Sequence, residues 1–585
     1  MTYLSDEAAV AADEKAPTSE KTTAPTSEHA EAQGDATELE HIDITNKHAY
    51  KADNSDGVIE WSWRGKLSVI CLCALYVGAQ LPLYFVGGSL SLIAADLNII
   101  DGAAWLGVSN NLAVAAVAPF CGYLQDLFGK RNVVLAGCLL VLVGSVVMGT
   151  SHGLSQAAAG MSIEGAGAGI LELTSIAGVS ELVPVAKRGL YLALLQAAII
   201  PFWPYIMYAQ LLATYSTWRW CMWISCIWVG LAAVGLALVY FPHNHNRAEG
   251  VSRRTLLRSF DYLGSVSSIV GLTLFLVAIQ SGGYTHPWKS AYVLVTLLLG
   301  ALLIIFFVVW EAKFARAPIV PREMFSGQRI VALAYCIGFV SGLNFYSILN
   351  FFPILMSQVY DPDPVQVGLK GLGYGCCIGV GSMAGNVAVA SPPTLSGSDG
   401  WFTNLNAASF TGALAVNNPT NPKLVTALLS LASFGIGGVL VPTATVALTA
   451  TPDTVIATTV ALSLSVRLGG GAIGYSIYYN IFASKLKSKL PPLVAEYAVK
   501  AGLPLTSAPL FVETFRTNPA AVTTVSGVTN VVIQAATLGV KWAYAESLKY
   551  VWYTSIPFGV LSIVACLFLP DTSKYMTNRI SVHLA

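Results

Sequence analysis

The sequence predicts an all-α protein that threads a bilayer about fourteen times, each run being long enough to span the hydrocarbon as a helix. Two observations carry the prediction. Of 585 residues, 55% are hydrophobic and only 11% are charged, less than half the charged share of an ordinary soluble domain. The basic residues that remain gather in alternate loops between the apolar runs. Lys130/Arg131, Lys187/Arg188, Arg247, Arg253, Arg254 and Arg258, and the segment from Lys313 to Arg329 fall on one side. The intervening short loops 95–102, 151–156, 282–288 and 357–365 hold no Lys or Arg. By the positive-inside rule, the basic side and both termini are expected in the cytosol.

Taken in order, residues 1–60 are rich in Ala, Glu, Asp, Thr and Ser. They lack the apolar surface to offset ordering entropy, so a disordered cytosolic tail is expected. Trp61 and Trp63 mark the interface. Apolar runs follow at 67–94, 103–124, 132–150, 157–180, 189–212 and 219–241, giving a first group over 61–241. Residues 242–329 form basic linkers around two further runs, 262–281 and 289–310. A second group over 330–570 holds runs at 330–356, 366–390, 401–416, 424–449, 456–483 and 550–569. A long segment, 485–548, is expected outside despite Lys485, Lys487 and Lys489, because long loops translocate largely regardless of charge. Its stretch 519–549 is expected to lie along the outer interface. Residues 571–585 form a second cytosolic tail.

Several chemistries find no support. Acidic and basic residues balance at 32 each, which argues against a nucleic-acid partner. All ten cysteines sit in apolar runs, so a metal or disulfide framework is not expected. No phosphate-binding Gly-Lys-Ser/Thr loop occurs, which removes ATP as a driving force. No nucleophile–base–orienter set can be assembled, so an enzyme is not expected, and no cofactor is implied.

Charged groups inside spans are costly and therefore mark function. Glu164 and Glu172 are the carboxylates well inside a span, both in the fourth. Eight residues of helix leave them roughly 80° apart in azimuth and ~12 Å apart in depth, so they could be successive stops on one cavity wall. A carboxyl group held away from water can load and release a proton during a transport cycle. Capping of a neighbouring helix or bonding to a buried hydroxyl would equally explain each. Arg467 lies inside the thirteenth span, where it needs a carboxylate, carbonyls or an anionic ligand. Gln80, Asn110, Asn111, Gln196, Tyr205, Tyr208, Asn344, Tyr346 and Tyr475 are polar handles on apolar walls, candidates for a substrate cavity.

The loop GYLQDLFGKR, from Gly122 to Arg131, has the grammar Gly-x-x-x-Asp-x-x-Gly-basic-basic. Gly122 permits close helix packing, Gly129 a φ > 0 turn, Asp126 a bond to a helix terminus or a cation, and Lys130 and Arg131 the inside location. It resembles the loop between the second and third helices of major facilitator superfamily transporters, where it acts as a conformational latch. With GAQLPLYFVGGSLSLIAADL (78–97), GAGAGILELT, ELVPVAKRGLYLALL, YDPDPVQVGLKGLGYG (360–375), GGVLVPTATVALT and SVRLGGGAIGYSIYYNIF, nearly the whole chain after residue 60 resembles the fungal trichothecene efflux pump family. The resemblance implies two six-helix bundles with an extra helix pair between them and a cavity open alternately to each side.

It implies a monomeric secondary transporter, in the plasma membrane or a vacuolar or vesicular one, exporting a hydrophobic or amphipathic small molecule in exchange for protons. Uptake of an iron–siderophore chelate by the same fold, and a receptor that moves nothing, stay open as alternatives. Three departures stand out. Met161 replaces the arginine that usually opens the fourth-helix motif of proton antiporters. The fifth span keeps Pro201 and Pro204 but not the glycines of the drug-antiporter motif. Residues 391–404, expected to be a basic cytosolic loop, contain no Lys or Arg.

Overall fold

The computed structural model describes residues 62–241, 261–390 and 410–576, apart from short breaks at 100–101, 284, 316–317, 321–323, 326–328, 453–454, 518, 571 and 573–574. The expected tail at 1–60, most of the expected tail at 571–585, the Arg247–Arg258 cluster and the anomalous 391–404 stretch lie outside these residues. Among the described residues there are helices and turns but no strand, only an isolated bridge between Gly282 and His286.

Seven helices build the first bundle: α1 (Trp63–Asp96), α2 (Ala104–Phe128), α3 (Lys130–Gly149), α4 (Leu154–Glu181), α5 (Arg188–Ala197), α6 (Tyr205–Tyr215) and α7 (Arg219–Val239). A pair follows, α8 (Tyr262–Ser281) and α9 (Ala291–Lys313). The second bundle contains α10 (Arg329–Leu355), α11 (Pro364–Val389), α12 (Pro422–Leu440), α13 (Pro442–Thr449), α14 (Ile456–Lys500), α15 (Ala508–Thr517) and α16 (Asn530–Leu567). Eleven helices among the described residues are long and apolar enough to cross a membrane. Helix α4, with its two glutamates, and the broken pair α5/α6 occupy the expected fourth and fifth positions. Most of the expected span 401–416 lies outside the described residues.

Local sequence explains the irregular elements. Pro201 and Pro204 stop the fifth span from being one helix, since each removes a backbone donor; a 3₁₀ turn at Ile200–Phe202 joins α5 to α6. Gly129 takes φ 87°, the left-handed turn anticipated between α2 and α3. The GAGAG run sets helix spacing in two directions. Gly165 and Gly169 share a face four residues apart, and a Cβ there would meet Asn110 O at 2.4 Å and Val114 Cγ1 at 3.0 Å on α2. Gly167, on the opposite face, would meet Gly137 O at 2.6 Å on α3. One five-residue sequence therefore lets α4 touch the backbones of both neighbours.

The pair α8/α9 is closely packed within itself: a Cβ on Gly300 would lie 2.5 Å from Phe275 N. Helix α9 otherwise turns Leu298, Leu302 and Ile305 outward, as a lipid-facing helix must. Three side-chain to backbone bonds fasten α8 and the turn after it to α14. Gln280 Nε2 donates to Ala472 O (2.6 Å), Ser476 Oγ to Ile279 O (2.7 Å) and Asn480 Nδ2 to Gly282 O (3.2 Å).

The 485–548 region, expected as a long outer loop with an interfacial stretch at 519–549, is largely helical. Helix α14 runs on through Lys485, Lys487 and Lys489 to Lys500, 45 residues or about 68 Å, more than twice the hydrocarbon thickness. Residues 530–549 are the first turns of α16 and pack on α14, in place of an interfacial helix. Hydropathy loses these turns because Lys and Glu are good helix formers that need no lipid. The hairpin has its own core, with Val494, Ala498, Leu503, Phe511, Val525, Val532 and Ala536 buried together. A Lys489–Glu546 ion pair ties its two arms, and Asn417 Nδ2 to Ala545 O (2.9 Å) ties it to the second bundle.

Phe511 is fully buried in that small core, so Phe511→Ala should cost ~3–5 kcal/mol locally. Limited proteolysis of the purified protein should then cut within 501–529 far faster than in wild type, with the spans intact. Cleavage at the wild-type rate would mean that the hairpin core contributes nothing.

Candidate functional site

The site is assembled where the two bundles meet. Helix α4 reaches the bundle centre because its glycines remove the bulk between it and α2 and α3. That places Glu172 against α14 of the other bundle. Glu172 Oε1 accepts a hydrogen bond from Arg467 Nη2 at 2.7 Å, with both side chains 9% exposed. Of the explanations available for each residue alone, the structure selects mutual pairing. Tyr346 of α10 shares a hydrogen bond with Arg467. Gln196 Nε2 of α5 donates to Tyr76 Oη of α1 at 2.6 Å nearby.

These groups face one shared cavity. Of the anticipated residues, Gln80, Gln196, Tyr205, Tyr346, Glu172 and Arg467 line it. The others serve elsewhere. Asn110 Nδ2 donates to Met161 O of α4 (3.3 Å), Asn344 Oδ1 accepts from Tyr478 Oη (3.2 Å), and Tyr475 stacks among Phe351 and Tyr479. Asn111 and Tyr208 are also absent from the lining.

Glu164 is not a second stop on the cavity wall. It is fully buried between α3 and α4, where Ser145 Oγ donates to its Oε1 at 2.6 Å and Gly144 makes room for its backbone. The azimuth that separates it from Glu172 is enough to turn it from the cavity toward α3.

Sequence reasoning missed the aromatic wall: Tyr76, Tyr84, Trp203, Phe345 and Tyr374, with Ser382. Tyr84 stacks on Tyr205 with ring centroids 4.6 Å apart. Trp203, held in the turn between Pro201 and Pro204, lies on α11, where a Cβ at Gly379 would meet its ring at 2.2 Å. The glycines absent from the fifth span are thus supplied by the helix it packs against. An aromatic residue in an apolar run looks the same whether it faces lipid or a cavity, so the one available signal was the pair of prolines around Trp203.

At the end of the bundles that carries the 129–131 turn, the two halves are in direct contact. A Cβ on Gly122 would lie 2.5 Å from Ala461 Cβ and 2.9 Å from Ala457 O of α14. Arg188, fully buried, donates from Nε to Ser180 O (2.9 Å) and from Nη1 to Leu448 O of α13 (2.8 Å), crossing between bundles. Sequence reasoning had given Arg188 only a topological role. Lys130 and Arg131 act within the first bundle: Lys130 pairs with Glu181 at the end of α4, and Arg131 Nη2 donates to Ala237 O of α7 at 2.8 Å. The helix backbone at Asp126 is described but its side chain is not. At the opposite end Asp96 Oδ2 accepts from Arg219 Nη1 (3.0 Å) and Trp218 Nε1 (2.9 Å), joining α1 to α7.

Comparison with known proteins agrees with this architecture. The family model described as fungal trichothecene efflux pump matches residues 108–585. The chain is 26% identical over 528 residues to "MFS transporter L2" of Phoma sp., covering 87% of this chain and 82% of that one. It is 25% identical over 514 residues to "Efflux pump FUS6" of Gibberella moniliformis, covering 84% and 85%. Among solved structures, the human organic anion transporter MFSD10 superposes with a TM-score of 0.52 at 12% identity, over 86% of this chain and 100% of that one. The proton:xylose symporter XylE gives 0.50 at 13% identity, over 88% and 98%. At such identities these two structures speak for the fold alone.

The Lys130–Glu181 pair is almost fully desolvated, so removing one partner strands a charge at a cost of ~3–5 kcal/mol. Glu181→Leu should therefore lower the melting temperature of the purified protein markedly, and adding Lys130→Met should restore most of the loss. A double variant no more stable than Glu181→Leu would show that the pair carries no coupling.

Proposed function

Because the chain belongs to the fungal trichothecene efflux pump family, a group of major facilitator transporters, we propose that it exports a hydrophobic or amphipathic small molecule in exchange for protons. The substrate class follows the relatives named efflux pumps and the aromatic side chains along one part of the cavity lining. The plasma membrane, a monomeric state and cytosolic termini are parts of the same reading. Orientation rests on the distribution of Lys and Arg between loops.

The observation that carries proton coupling is the Glu172–Arg467 pair across the two bundles, inside the cavity. An isolated charge at this depth costs several kcal/mol, so each member needs the other while both are ionised. A proton arriving on Glu172 from the outer side removes the anion, and Arg467 loses its partner. The tie between bundles is then weakened in the protonated state, the condition needed for the halves to rock apart at the Gly122/α14 seam. Substrate entering from the cytosol, or return of Arg467, favours release of that proton inward. Asp126 belongs to the latch in this scheme, with Gly122 and Gly129. Glu164 has a supporting role, since it lies away from the cavity.

Glu172→Gln should abolish efflux driven by a proton gradient in a pump-deficient fungus loaded with labelled fungal toxins. It should keep exchange of labelled for unlabelled compound across vesicles without a gradient. Glu164→Gln should reduce gradient-driven efflux only a few-fold. Gradient-driven efflux by Glu172→Gln with unchanged pH dependence would remove Glu172 from the coupling step.

A further inference from the structure

The helix pair α8/α9 is fastened to a different bundle at each end. Where α8 leads into α9, three hydrogen bonds join it to α14 of the second bundle, through Gln280, Ser476 and Asn480. At the other end of the pair the neighbour belongs to the first bundle. Tyr123 of α2, 1% exposed, shares one apolar cluster with Phe307 of α9 and with Ile319 and Val320, which follow α9 in the chain. The pair and the segment after it therefore bridge the two bundles.

Two carboxyl groups shape the end that meets Tyr123, and the coupling scheme uses neither. Asp261 caps α8, accepting from Gly264 N–H at 2.8 Å, and both its oxygens accept from Trp310 Nε1 of α9 at 3.0 Å. Glu311, the next residue, takes the backbone of the following segment. Its Oε1 accepts from Ile319 N–H (3.1 Å) and its Oε2 from Val320 N–H (3.4 Å). A carboxyl in the last turn of a helix faces the unfavourable end of the helix dipole. What offsets this for Glu311 is the pair of N–H groups beside the fully buried Ile319, which need an acceptor. This seat adjoins the seam between bundles. Tyr123 follows Gly122, where a Cβ would lie 3.1 Å from Thr458 Cα of α14. Four residues past Val320, a reach of at most about 14 Å, Met324 is buried with Tyr335 of α10 and Ala447 of α13.

We propose that the helix pair is a brace that holds the Gly122/α14 seam closed, and that Glu311 is the positioning residue that keeps Ile319 seated on Tyr123. Bundles that part at this seam must shear one of the two fastenings. The fastening to α14 is made by three hydrogen bonds between ordered elements. The seat on Tyr123 is made by side chains of a non-helical segment held by Glu311, so the seat is the one that yields. The inference rests on the reading that the bundles part at this seam, and on neither protons nor a substrate.

The test uses the full-length protein in lipid nanodiscs at one pH, lacking its ten native cysteines and carrying Thr458→Cys on the seam. The rate of this thiol with a membrane-impermeant reagent is divided by that of a freely exposed thiol. Glu311→Ala and Ile319→Ala should each raise the ratio roughly three- to tenfold, the effect of one or two hydrogen bonds or of the lost apolar contact. Glu311→Gln keeps one acceptor and should raise it less. Ser225→Cys, buried within the first bundle, should stay unreactive in every background. Ala457→Cys, on the same seam, is the reporter if Thr458→Cys fails to fold. An unchanged ratio is what a carboxyl that merely closes the turn after α9 would give, and it would overturn the brace. So would a rise shared by Ser225→Cys. Glu172→Gln is measured alongside. A ratio raised by Glu172→Gln but not by the Glu311 and Ile319 variants would reject the brace and keep the coupling, and the reverse would keep the brace and reject the coupling.

Discussion

The structure depends on one contact, the ion pair between Glu172 of the first bundle and Arg467 of the second. Neither charge could sit at this depth by itself, because the penalty for removing an ion from water is several kcal/mol and lipid returns none of it. Pairing across the bundles makes each half the solvent of the other's charge. On the proposed coupling, neutralising the carboxylate would delete the reason for the guanidinium to stay, and such a bond would be the kind of two-state element that alternating access requires.

A second constraint is geometric. The backbones must come close enough for that pair to form, and glycine makes the approach possible at each seam. Gly165, Gly167 and Gly169 bring α4 against α2 and α3, Gly122 brings α2 against α14, and Gly375 and Gly379 admit Trp203 to α11. Side chains at these points would push the bundles apart and separate Glu172 from Arg467. The polar contacts at the Gly122 end have the same logic: Arg188 reaches the last carbonyls of α13, where a cation is favoured at a helix C-terminus.

Much of this was legible in the sequence, and the failures have physical causes. The spans and the placing of Glu172 and Arg467 inside them followed from the cost of polar groups in lipid, and the Gly129 turn and the packing of α4 from glycine's missing side chain. Arg467 could be offered as only one of several partners for Glu172, because residues nearly three hundred positions apart meet only through tertiary packing. Glu164 was expected as a second stop on the cavity wall, and its azimuth turns it to Ser145 instead. The long arms of α14 and α16 escaped a reading based on hydropathy, which detects lipid rather than helix. Trp203 and Ser382 escaped because a cavity has no local signature in an apolar run.

The most direct test of the account asks whether protonation of Glu172 opens the seam between bundles. In a variant lacking the ten native cysteines, a single cysteine at Thr458, beside Gly122, would report access to a membrane-impermeant thiol reagent. On the proposed coupling its rate, divided by that of a freely exposed thiol at the same pH, should rise as pH falls, and Glu172→Gln should give a high ratio at every pH. A wild-type ratio independent of pH, or a Gln variant that keeps the wild-type pH dependence of the ratio, would contradict the account.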